Sequence, residues 1–396
     1  MQKFNGVDYL KIDIANHYGL DKKLWDERLA WVNEHEDNLE DFLEEAEEPA
    51  LFYVSVKAYR EVQKGNAIGF PIALDATCSG CQILSCLIRD SKAAKLCNVI
   101  STGKRENMYK HILNKMCEYT EAGNKAEYSD VKKSIMTSLY GSKAKPKEIF
   151  GEELLNVFQQ VMSQEMPKVW NLNEYFLAIW NPKATMYSWV LPDNFHVNIK
   201  VFDKKTEKFR FFDKNYEITS KVEKATEKGR CLSANSVHSI DGYFVREISR
   251  RCMYSPAKMK KVQEILKADG EPKNSRGTKM VKTLWDLYKK TGMLSIRICD
   301  YLNEGNKHLV DAQVVLDLID TLPKKPFELI TIHDSFRCLP NYGNDIRQQY
   351  TNMLAELAKS NMLNHILTSI TGKEHKINLG NNNMYKEVLN AEYALS

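Results

Sequence analysis

Two short apolar runs, each leading to an aspartate, constrain the fold of this chain more than any other feature of its sequence. Residues 71–75 (PIALD) predict a buried strand that ends at Asp75, and residues 327–332 (FELITI) predict a strand that enters a tight turn at Asp334. A second short strand is predicted at 336–339. A carboxylate at the exit of a strand is held by rigid backbone, which suits a Mg²⁺ ligand. On neighbouring strands, two such carboxylates would hold two Mg²⁺ ions ~3.5–4 Å apart, the arrangement for in-line phosphoryl transfer.

Each aspartate also has an ordinary structural explanation. Asp75 could cap the helix that follows it, and His333 and Asp334 could be the polar residues of a hairpin turn that binds no metal. The choice depends on whether the two strands, which are far apart in the sequence, lie side by side in one sheet.

The remaining hydrophobic pattern predicts an α/β fold that is rich in helices and has only a few short strands. Turn chemistry at Pro192-Asp193-Asn194 predicts a hairpin over residues 186–202. Pro49 is expected to end the first long helix, and Gly141 is expected to end another by supplying a left-handed C-cap. Helices are predicted at 25–48, after Ser79 as the cap, and at 104–121, 127–140, 237–251 and 309–321.

Composition excludes several classes of protein. The chain has 396 residues, 43% hydrophobic and 27% charged, which is enough to bury a core and does not fit intrinsic disorder. At ~150 residues per domain, this length predicts roughly two to three domains or subdomains. The sequence contains no transmembrane-length apolar run, and we expect no signal peptide. Nine cysteines, an odd number without a disulfide framework, predict a reducing intracellular compartment.

Charge is distributed unevenly, although the net charge is only +4. The segment 26–48 is strongly acidic, whereas 132–147 and 200–228 are rich in lysine. These runs are either ordinary solvated faces or an acidic module beside a basic channel. Weak net basicity permits nucleic-acid binding without demonstrating it.

Two further groups of residues could carry chemistry. Lys132 and Tyr140 are eight residues apart on a predicted helix and so lie on roughly one face, where a lysine can bind phosphates and an aromatic ring can meet a base or sugar. A solvated lysine and a core tyrosine are the ordinary alternative. Cys78 and Cys81 form a CxxC pair, but the sequence has no second pair for zinc, so small fillers at a tight turn are favoured.

Taken together and in order, these segments resemble the single-subunit, T7-like (phage-type) RNA polymerases. Residues 75–90 (DATCSGCQILSCLIRD) look like that family's motif A, 132–143 (KKSIMTSLYGSK) like motif B and 333–336 (HDSF) like motif C. The resemblance spans nearly the whole chain. Further similar segments are 9–22 near the start, 236–241 (SVHSID) and the tail 393–396 (YALS).

The resemblance implies a two-metal polymerase mechanism. Asp75 and Asp334, with the carbonyl of Ala76, would ligate two Mg²⁺ ions, one activating the RNA 3′-hydroxyl and the other steadying the leaving pyrophosphate. Lys132 would contact the phosphates and serve as candidate general acid, and Tyr140 would close on the nucleotide and take part in selecting ribose. The other implied substrate-binding residues are Lys22, Tyr109, Tyr128 and His238.

Two departures from the family pattern bear on function. The family places an arginine four residues before the motif B lysine, where this chain has Tyr128; Lys125 or Lys133 could take over that phosphate contact. The chain also starts within the palm, so the family's N-terminal domain and thumb are expected to be absent. A second polypeptide would then supply them, as in the heterodimeric RNA polymerase II of N4-like phages, whose large catalytic subunit this chain most resembles.

The implied organisation is a right hand with palm and fingers. The palm would comprise 1–103, with a peripheral acidic helical module at about 25–66 that faces solvent or the partner, and 239–396 with a C-terminal extension; the fingers would be 104–238. Expected ligands and partners are a DNA template, nascent RNA, ribonucleoside triphosphates, the second subunit, and a single-stranded-DNA-binding or promoter-loading factor. The enzyme would transcribe phage genes in the cytoplasm of the infected bacterial host.

Three alternative functions remain open. A family A DNA polymerase shares the metal aspartates, but it places a glutamate five residues after the first one, where this chain has Gly80, and tends to read His-Asp-Glu in motif C. A metal-dependent phosphohydrolase of the His-Asp type would need further ligands and a helical His333-Asp334 pair. A non-catalytic nucleic-acid-binding module would not need Asp75, Lys132 and Asp334.

Overall fold

Helices form most of the fold, and short strands form three small antiparallel sheets among them. The structure, a computed structural model, describes residues 1–226, 231–269, 271–273 and 275–396. Residues 227–230, which include the end of the second lysine-rich run, lie outside the described residues. The many helices and few short strands agree with the predicted helix-rich α/β class. The helices are α1 (Gly6–Ala15), α2 (Trp25–Glu34), α3 (Pro49–Gln63), α4 (Ser79–Ile88), α5 (Ser91–Leu96), α6 (Met108–Tyr119), α7 (Tyr128–Leu139), α8 (Ala144–Glu165), α9 (Pro167–Ala178), α10 (Cys231–Cys252), α11 (Pro256–Lys267), α12 (Thr278–Thr291), α13 (Ala312–Asp320), α14 (Gly343–Lys359), α15 (Met362–Thr371) and α16 (Met384–Val388).

The sheet that matters for function joins the two predicted aspartate strands. The strands are β1 (Ile72–Asp75), β2 (Met186–Val190), β3 (His196–Lys200), β4 (Phe202–Phe211), β5 (Lys214–Glu223), β6 (Ile330–Ile332) and β7 (Ser335–Cys338). Strand β7 lies in the middle of the order β1-β7-β6 and is antiparallel to both neighbours. Its register places Asp75 opposite Ser335. The two predicted strands that lead to Asp75 and Asp334, β1 and β6, therefore lie in one sheet but are not neighbours, because β7, the strand that follows Asp334, lies between them and pairs with β1.

Most predicted helices and the 186–202 hairpin form within a few residues of their expected bounds, with one clear exception. The predicted helix 25–48 stops at Glu34 and continues as a 3₁₀ segment, Glu36–Phe42, in which Asn38 has a non-helical backbone. Pro49 begins α3 instead of ending a helix. Proline favours the first helical position because its missing N–H would have no partner there.

A second correction concerns the start of α4. The predicted cap, Ser79, is the first helical residue, and Cys78 is the N-cap in a left-handed conformation (φ +64°). Gly141 does follow α7 with φ +83°, as predicted. All nine cysteines are free thiols.

Buried side chains form two cores. The main core includes α1, α4, α10 and α14 and supports β1 and β7. A smaller core is confined to residues 259–319 and is built from α11, α12 and α13. Within the described residues, no helix combines the length and the apolar character needed to cross a bilayer. The division into palm and fingers stays a prediction.

Strands β4 and β5 form a long hairpin that the sequence analysis did not predict. Nearly all of its side chains are exposed, and Phe209 stacks on Tyr216 directly opposite. Two of its lysines pair with carboxylates of the same hairpin, Lys205 with Glu207 and Lys208 with Glu217. This part of the lysine-rich run is therefore a solvated face whose positive charge is partly neutralised within the hairpin.

Candidate active site

A cavity of about 600 Å³ brings together nearly all of the residues selected from the sequence. His238 is not among the lining residues, but its ring lies 4.8 Å from the ring of Tyr140, which lines the cavity. Residues far apart in the sequence thus meet at one place. The predicted residues that line the cavity are Lys22, Asp75, Ala76, Tyr109, Tyr128, Lys132, Tyr140 and Asp334.

The sheet fixes the two aspartates beside each other. The Ala76 amide donates a hydrogen bond to the carbonyl of Asp334 at 3.1 Å, immediately beyond the Asp75–Ser335 pair. His333 holds the tight turn with φ +54°, a backbone region that few residues other than glycine adopt. On its other side, the backbone of Asp75 exchanges hydrogen bonds with Ser396 at 2.9 and 3.4 Å. The backbone of Asp75 is therefore bonded on two sides, and that of Asp334 is bonded to Ala76.

The electrostatics show mutual repulsion among carboxyl groups. Burial raises the pKa of Asp75, and the charge of Asp334 raises it further, against a hydrogen bond from Ser335 that lowers it. On α10, burial raises the pKa of Asp241 to about 6, again with a contribution from Asp334. Like charges that are held together in this way favour binding of a proton or a cation.

The donor set fits Mg²⁺. Carboxylate oxygens of Asp75 and Asp334 and the main-chain carbonyl of Ala76 are hard oxygen ligands, which this ion prefers. Among the described residues, no cluster of three or more histidine, cysteine, aspartate or glutamate side chains is arranged around one point. Two carboxylates match the way Mg²⁺ is usually held, with water and substrate phosphates completing its octahedron.

Helix α7 presents Lys132 and Tyr140 to the cavity. Its apolar side, Val131, Ile135 and Leu139, is buried with the spacing of one helical face. The ammonium group of Lys132 lies 5.7 Å from the centre of the Tyr109 ring, within cation–π range. Burial raises the pKa of Tyr140 to about 12, so its hydroxyl stays protonated near neutral pH and can donate a hydrogen bond.

Gly80 and Tyr140 touch across the cavity. A Cβ atom added to Gly80 would lie 2.9 Å from the Tyr140 hydroxyl, closer than carbon and oxygen normally approach. Glycine at the start of α4 therefore makes room for the tyrosine at the end of α7. A larger side chain at position 80 would displace the hydroxyl or occupy its place.

Part of the chain matches a known protein family. Residues 3–178 match the family model of DNA-dependent RNA polymerase. This polymerase match contains Asp75, Lys132 and Tyr140, whereas Asp334 and His238 lie beyond it. The geometry of the β1–β7 pair is what connects Asp334 to the matched segment.

Curated relatives of this chain are RNA polymerases. The chain is 34% identical over 185 residues to a probable DNA-directed RNA polymerase of Neurospora crassa, covering 40% of this chain and 20% of that protein. It is 31% identical over 133 residues to the DNA-directed RNA polymerase of Pseudomonas phage phiKMV (29% and 16% covered). It is 26% identical over 129 residues to the T7 RNA polymerase of Escherichia phage T7 (30% and 15% covered). The matched segments thus span a fifth or less of these relatives.

Two other predicted substrate-binding residues, Tyr128 and Lys22, also line the cavity and lie within the polymerase-matched segment 3–178. The hydroxyl of Tyr128 lies 3.2 Å from the Asn107 side-chain amide, and its ring meets Tyr109 edge-to-face at 6.3 Å. Lys22 is exposed and pairs with Asp21 at 3.3 Å. Lys125 and Lys133, the expected substitutes for the family arginine, do not line the cavity.

Several lining residues were not anticipated from the sequence. His17 lies between Asp13 (3.3 Å) and Glu48 (2.7 Å), and these carboxylates raise the pKa of its imidazole although burial lowers it. Glu47 and Glu48 line the cavity, so the end of the acidic segment 26–48 reaches the site. The i, i+4 spacing of Asp13 and His17 was the available signal, whereas Glu48 approaches only through the fold.

The two cysteines of the CxxC pair lie at the start of α4. Cys81 is fully buried, and its Sγ lies 3.8 Å from the Met166 sulfur. Cys78 lines the cavity at the left-handed cap of α4. Small fillers at a tight strand–helix turn, the explanation favoured from the sequence, agree with this placement.

Proposed function

We propose that this chain is the catalytic subunit of a DNA-directed RNA polymerase that transfers ribonucleotides to the 3′ end of RNA under the direction of a DNA template. One observation carries the proposal. Asp75, inside the polymerase-matched segment, and Asp334, outside it, stand side by side in a cavity that Lys132 and Tyr140 also line.

The residues suit the chemistry of nucleotidyl transfer. Asp75 and Asp334, with the Ala76 carbonyl, would hold two Mg²⁺ ions, which would activate the 3′-hydroxyl and neutralise charge on the phosphates. Lys132 forms no ion pair with any described residue, so its ammonium proton is available to the departing pyrophosphate. Tyr140 keeps its hydroxyl proton and is placed to donate a hydrogen bond to the sugar of an incoming nucleotide.

Sugar selection separates this proposal from a family A DNA polymerase. Such an enzyme has a glutamate at the position of Gly80. In this chain, the Tyr140 hydroxyl occupies the space beside Gly80 that this side chain would fill. Ser335, where glutamate would be expected in motif C, instead lies directly opposite Asp75 in the β1–β7 pair. Both features support the use of ribonucleotides.

A His-Asp phosphohydrolase is less well supported. His333 and Asp334 lie in a strand–turn–strand and not on a helix. Within the described residues they have no further histidine and carboxylate ligands grouped around them. A phosphohydrolase of that type needs such ligands.

The proposal includes a partner and a setting. Following the resemblance to the heterodimeric polymerase of N4-like phages, a second subunit would complete the grip on the template–RNA hybrid, with a single-stranded-DNA-binding or promoter-loading factor delivering the template. The palm would combine 1–103 and 239–396, and the fingers would be 104–238. Phage genes would be transcribed in the cytoplasm of the infected bacterium.

Primer extension tests the proposal. The chain, alone and co-expressed with a candidate second subunit, is given an RNA primer on a DNA template, with ribo- or deoxyribonucleotides and with or without Mg²⁺. We expect Mg²⁺-dependent addition of the templated ribonucleotide. Preference for deoxyribonucleotides would favour a DNA polymerase, and phosphate release without extension would favour a hydrolase. Full processivity of the chain alone would refute the need for a partner.

A further inference from the structure

One cation in the cavity wall has no role in the mechanism so far. Lys22, Arg105 and Lys132 are the lysine and arginine side chains that line the cavity among the described residues, and Arg105 is the single guanidinium among them. It lies in the loop immediately before α6. A guanidinium presents five donors in a planar fork that matches phosphate oxygens.

The hydrogen-bonding capacity of Arg105 is largely unused. Its Nε donates to the Ser396 hydroxyl at 3.3 Å, and no carboxylate of the described residues lies within 4 Å to form an ion pair. Burial lowers the pKa of Arg105, and the charge of Asp21 raises it by a smaller amount. The same loop is close enough to Arg28 for the two cations to repel each other. A partly buried, unpaired cation of this kind is stabilised when an anion binds.

The surroundings of Arg105 are also arranged for an anion. Helix α6 begins three residues later, at Met108, with Asn107 as its cap and with Met108 and Tyr109 lining the cavity. The N-terminus of this twelve-residue helix directs unpaired amides and a partial positive charge to the same wall. Arg105 and the helix end therefore act in the same direction.

Arg105 lies beside the position at which the sequence departs from the family pattern. The hydroxyl of Tyr128, which stands where the family has arginine, contacts Asn107 at 3.2 Å. Arg105 and Tyr128 line the same cavity, and Asn107, which contacts Tyr128 at the start of α7, is two residues from Arg105 along the chain. A guanidinium can thus reach this part of the cavity from a different segment of the chain.

We propose that Arg105 binds the triphosphate of the incoming nucleotide, and that it supplies from the loop before α6 the guanidinium that Tyr128 does not provide at the start of α7. This inference rests on the proposed function and adds a specific triphosphate ligand to it. The competing explanation is structural: Arg105 could serve only to fasten Ser396 against the cavity wall.

Steady-state extension by one nucleotide on a preassembled RNA–DNA scaffold tests the proposal, using the full chain with its partner. We expect Arg105→Ala to raise the KM for the ribonucleoside triphosphate by roughly 10- to 100-fold, because a charge-assisted contact to phosphate is lost, with a smaller change in kcat. The KM for pyrophosphate in the reverse reaction should rise in parallel. Arg105→Lys should recover part of the loss.

Three further variants make the result decisive. Lys104→Ala removes the adjacent cation, which is exposed and pairs with Glu106, and should leave both KM values unchanged. Tyr128→Arg in the Arg105→Ala background should restore triphosphate binding if the two positions serve one phosphate site. Ser396→Ala removes the hydroxyl that Arg105 contacts, and an equal KM defect in this variant would support the structural explanation and overturn ours.

Failure of this inference is distinguishable from failure of the proposed function. An inactive wild-type enzyme would remove the proposed function. An active wild-type enzyme whose KM for triphosphate and pyrophosphate is unaffected by Arg105→Ala would remove only the role of Arg105. Scaffold affinity, measured by fluorescence anisotropy, should be the same in wild type and Arg105→Ala; a parallel loss of scaffold binding would also contradict a contact specific to the triphosphate.

Discussion

Asp75 and Asp334 line the cavity, and the carboxyl group of a third aspartate, Asp241, interacts with that of Asp334. Asp75 and Asp334 are fixed by paired backbone, and Asp241 approaches from α10 closely enough for the charge of Asp334 to raise its pKa. The repulsion among them is a cost in the free protein that a divalent cation removes. At the scale of the residue, the carboxylates that would bind a metal ion are therefore the same ones that repel each other when no ion is bound.

The first prediction concerns the metal ligands. Asp75→Asn and Asp334→Asn should each lower the rate of nucleotide incorporation by roughly 10³-fold or more, because the loss of one anionic ligand costs several kcal/mol of transition-state stabilisation. Addition of EDTA should abolish wild-type activity. Asp37→Asn, an exposed aspartate far from the sheet, is the control. Retention of more than about a tenth of the activity in either ligand variant would contradict the assignment.

The second prediction separates catalysis from binding at Lys132. Lys132→Ala should reduce kcat by ~10²–10⁴ if this ammonium group protonates the leaving pyrophosphate. Lys133→Ala is the matched control, because the neighbouring lysine is exposed and does not line the cavity. Single-turnover kinetics measure the effect. A change confined to KM would limit Lys132 to binding phosphates.

The third prediction uses the raised pKa of Asp241. Since burial, with the charge of Asp334, raises that pKa to about 6 in the folded protein from 3.8 in the reference state, the folded state binds the proton more readily, and the contribution of Asp241 to wild-type stability should fall as the pH rises from about 4 to 6. Asp241→Asn should therefore stabilise the Mg²⁺-free protein by about 1–3 kcal/mol above pH 6 and have little effect below pH 4. Urea unfolding at several pH values measures this. Asp320→Asn, at an exposed aspartate on α13, is the control and should have no effect. An effect of Asp241→Asn that is equal at all pH values, or no effect at any pH, would contradict the raised pKa.

At the scale of the element, local signals were sufficient where the structure depends on local chemistry. The strand at Asp75, the hairpin at 186–202 and the C-cap at Gly141 follow from periodicity, turn residues and a positive φ, and all form. The helix predicted across 25–48 failed because periodicity alone could not show that Pro49 starts a helix.

Long-range contacts were beyond the reach of the sequence. The strands of this sheet could be identified separately, but the pairing and register of β1 with β7 depend on the packed core. The same holds for the approach of Glu48 and Arg105 to the cavity, because each comes from a loop or helix end whose position is set by distant elements. The resemblance to a known family implied that the residues of motifs A, B and C form one site, which periodicity could not show. It did not indicate residues outside those motifs, such as Glu48 and Arg105.

The fourth prediction concerns the β4–β5 hairpin. Phe211 (58% exposed), Phe212 (84%) and Ile218 (56%) extend into solvent, so the hairpin contributes little to the core. Replacing residues 204–221 by Asn-Gly preserves the Asp203–Val222 pair in a two-residue turn. The free energy of unfolding should change by less than about 0.5 kcal/mol, and addition of one nucleotide on a preassembled scaffold should persist. A loss of about 2 kcal/mol or more would show that the hairpin packs against the body.

At the scale of the whole molecule, one buried carboxylate connects the two cores. Glu247 on α10 accepts hydrogen bonds from the Ser295 hydroxyl at 2.6 Å and the Ile296 amide at 2.7 Å, both at the entrance to the smaller core. It also pairs with buried Arg251, which in turn pairs with Glu356 on α14. The main core, which supports the aspartate sheet, and the smaller core of α11–α13 therefore share a network of buried charges.

The fifth prediction follows from this connection. Glu247→Ala leaves Arg251 short of one partner and leaves the Ser295 and Ile296 donors without their acceptor, so it should cost roughly 3–5 kcal/mol. The loss should be uneven: hydrogen exchange in α11, α12 and α13 should accelerate more than in β1 and β7, because the smaller core loses its attachment while the aspartate sheet keeps its own support. Glu264→Ala, an exposed glutamate on α11, is the matched control and should leave exchange unchanged. Uniform acceleration throughout the chain would mean that the two cores unfold as one unit and that Glu247 stabilises the whole fold equally.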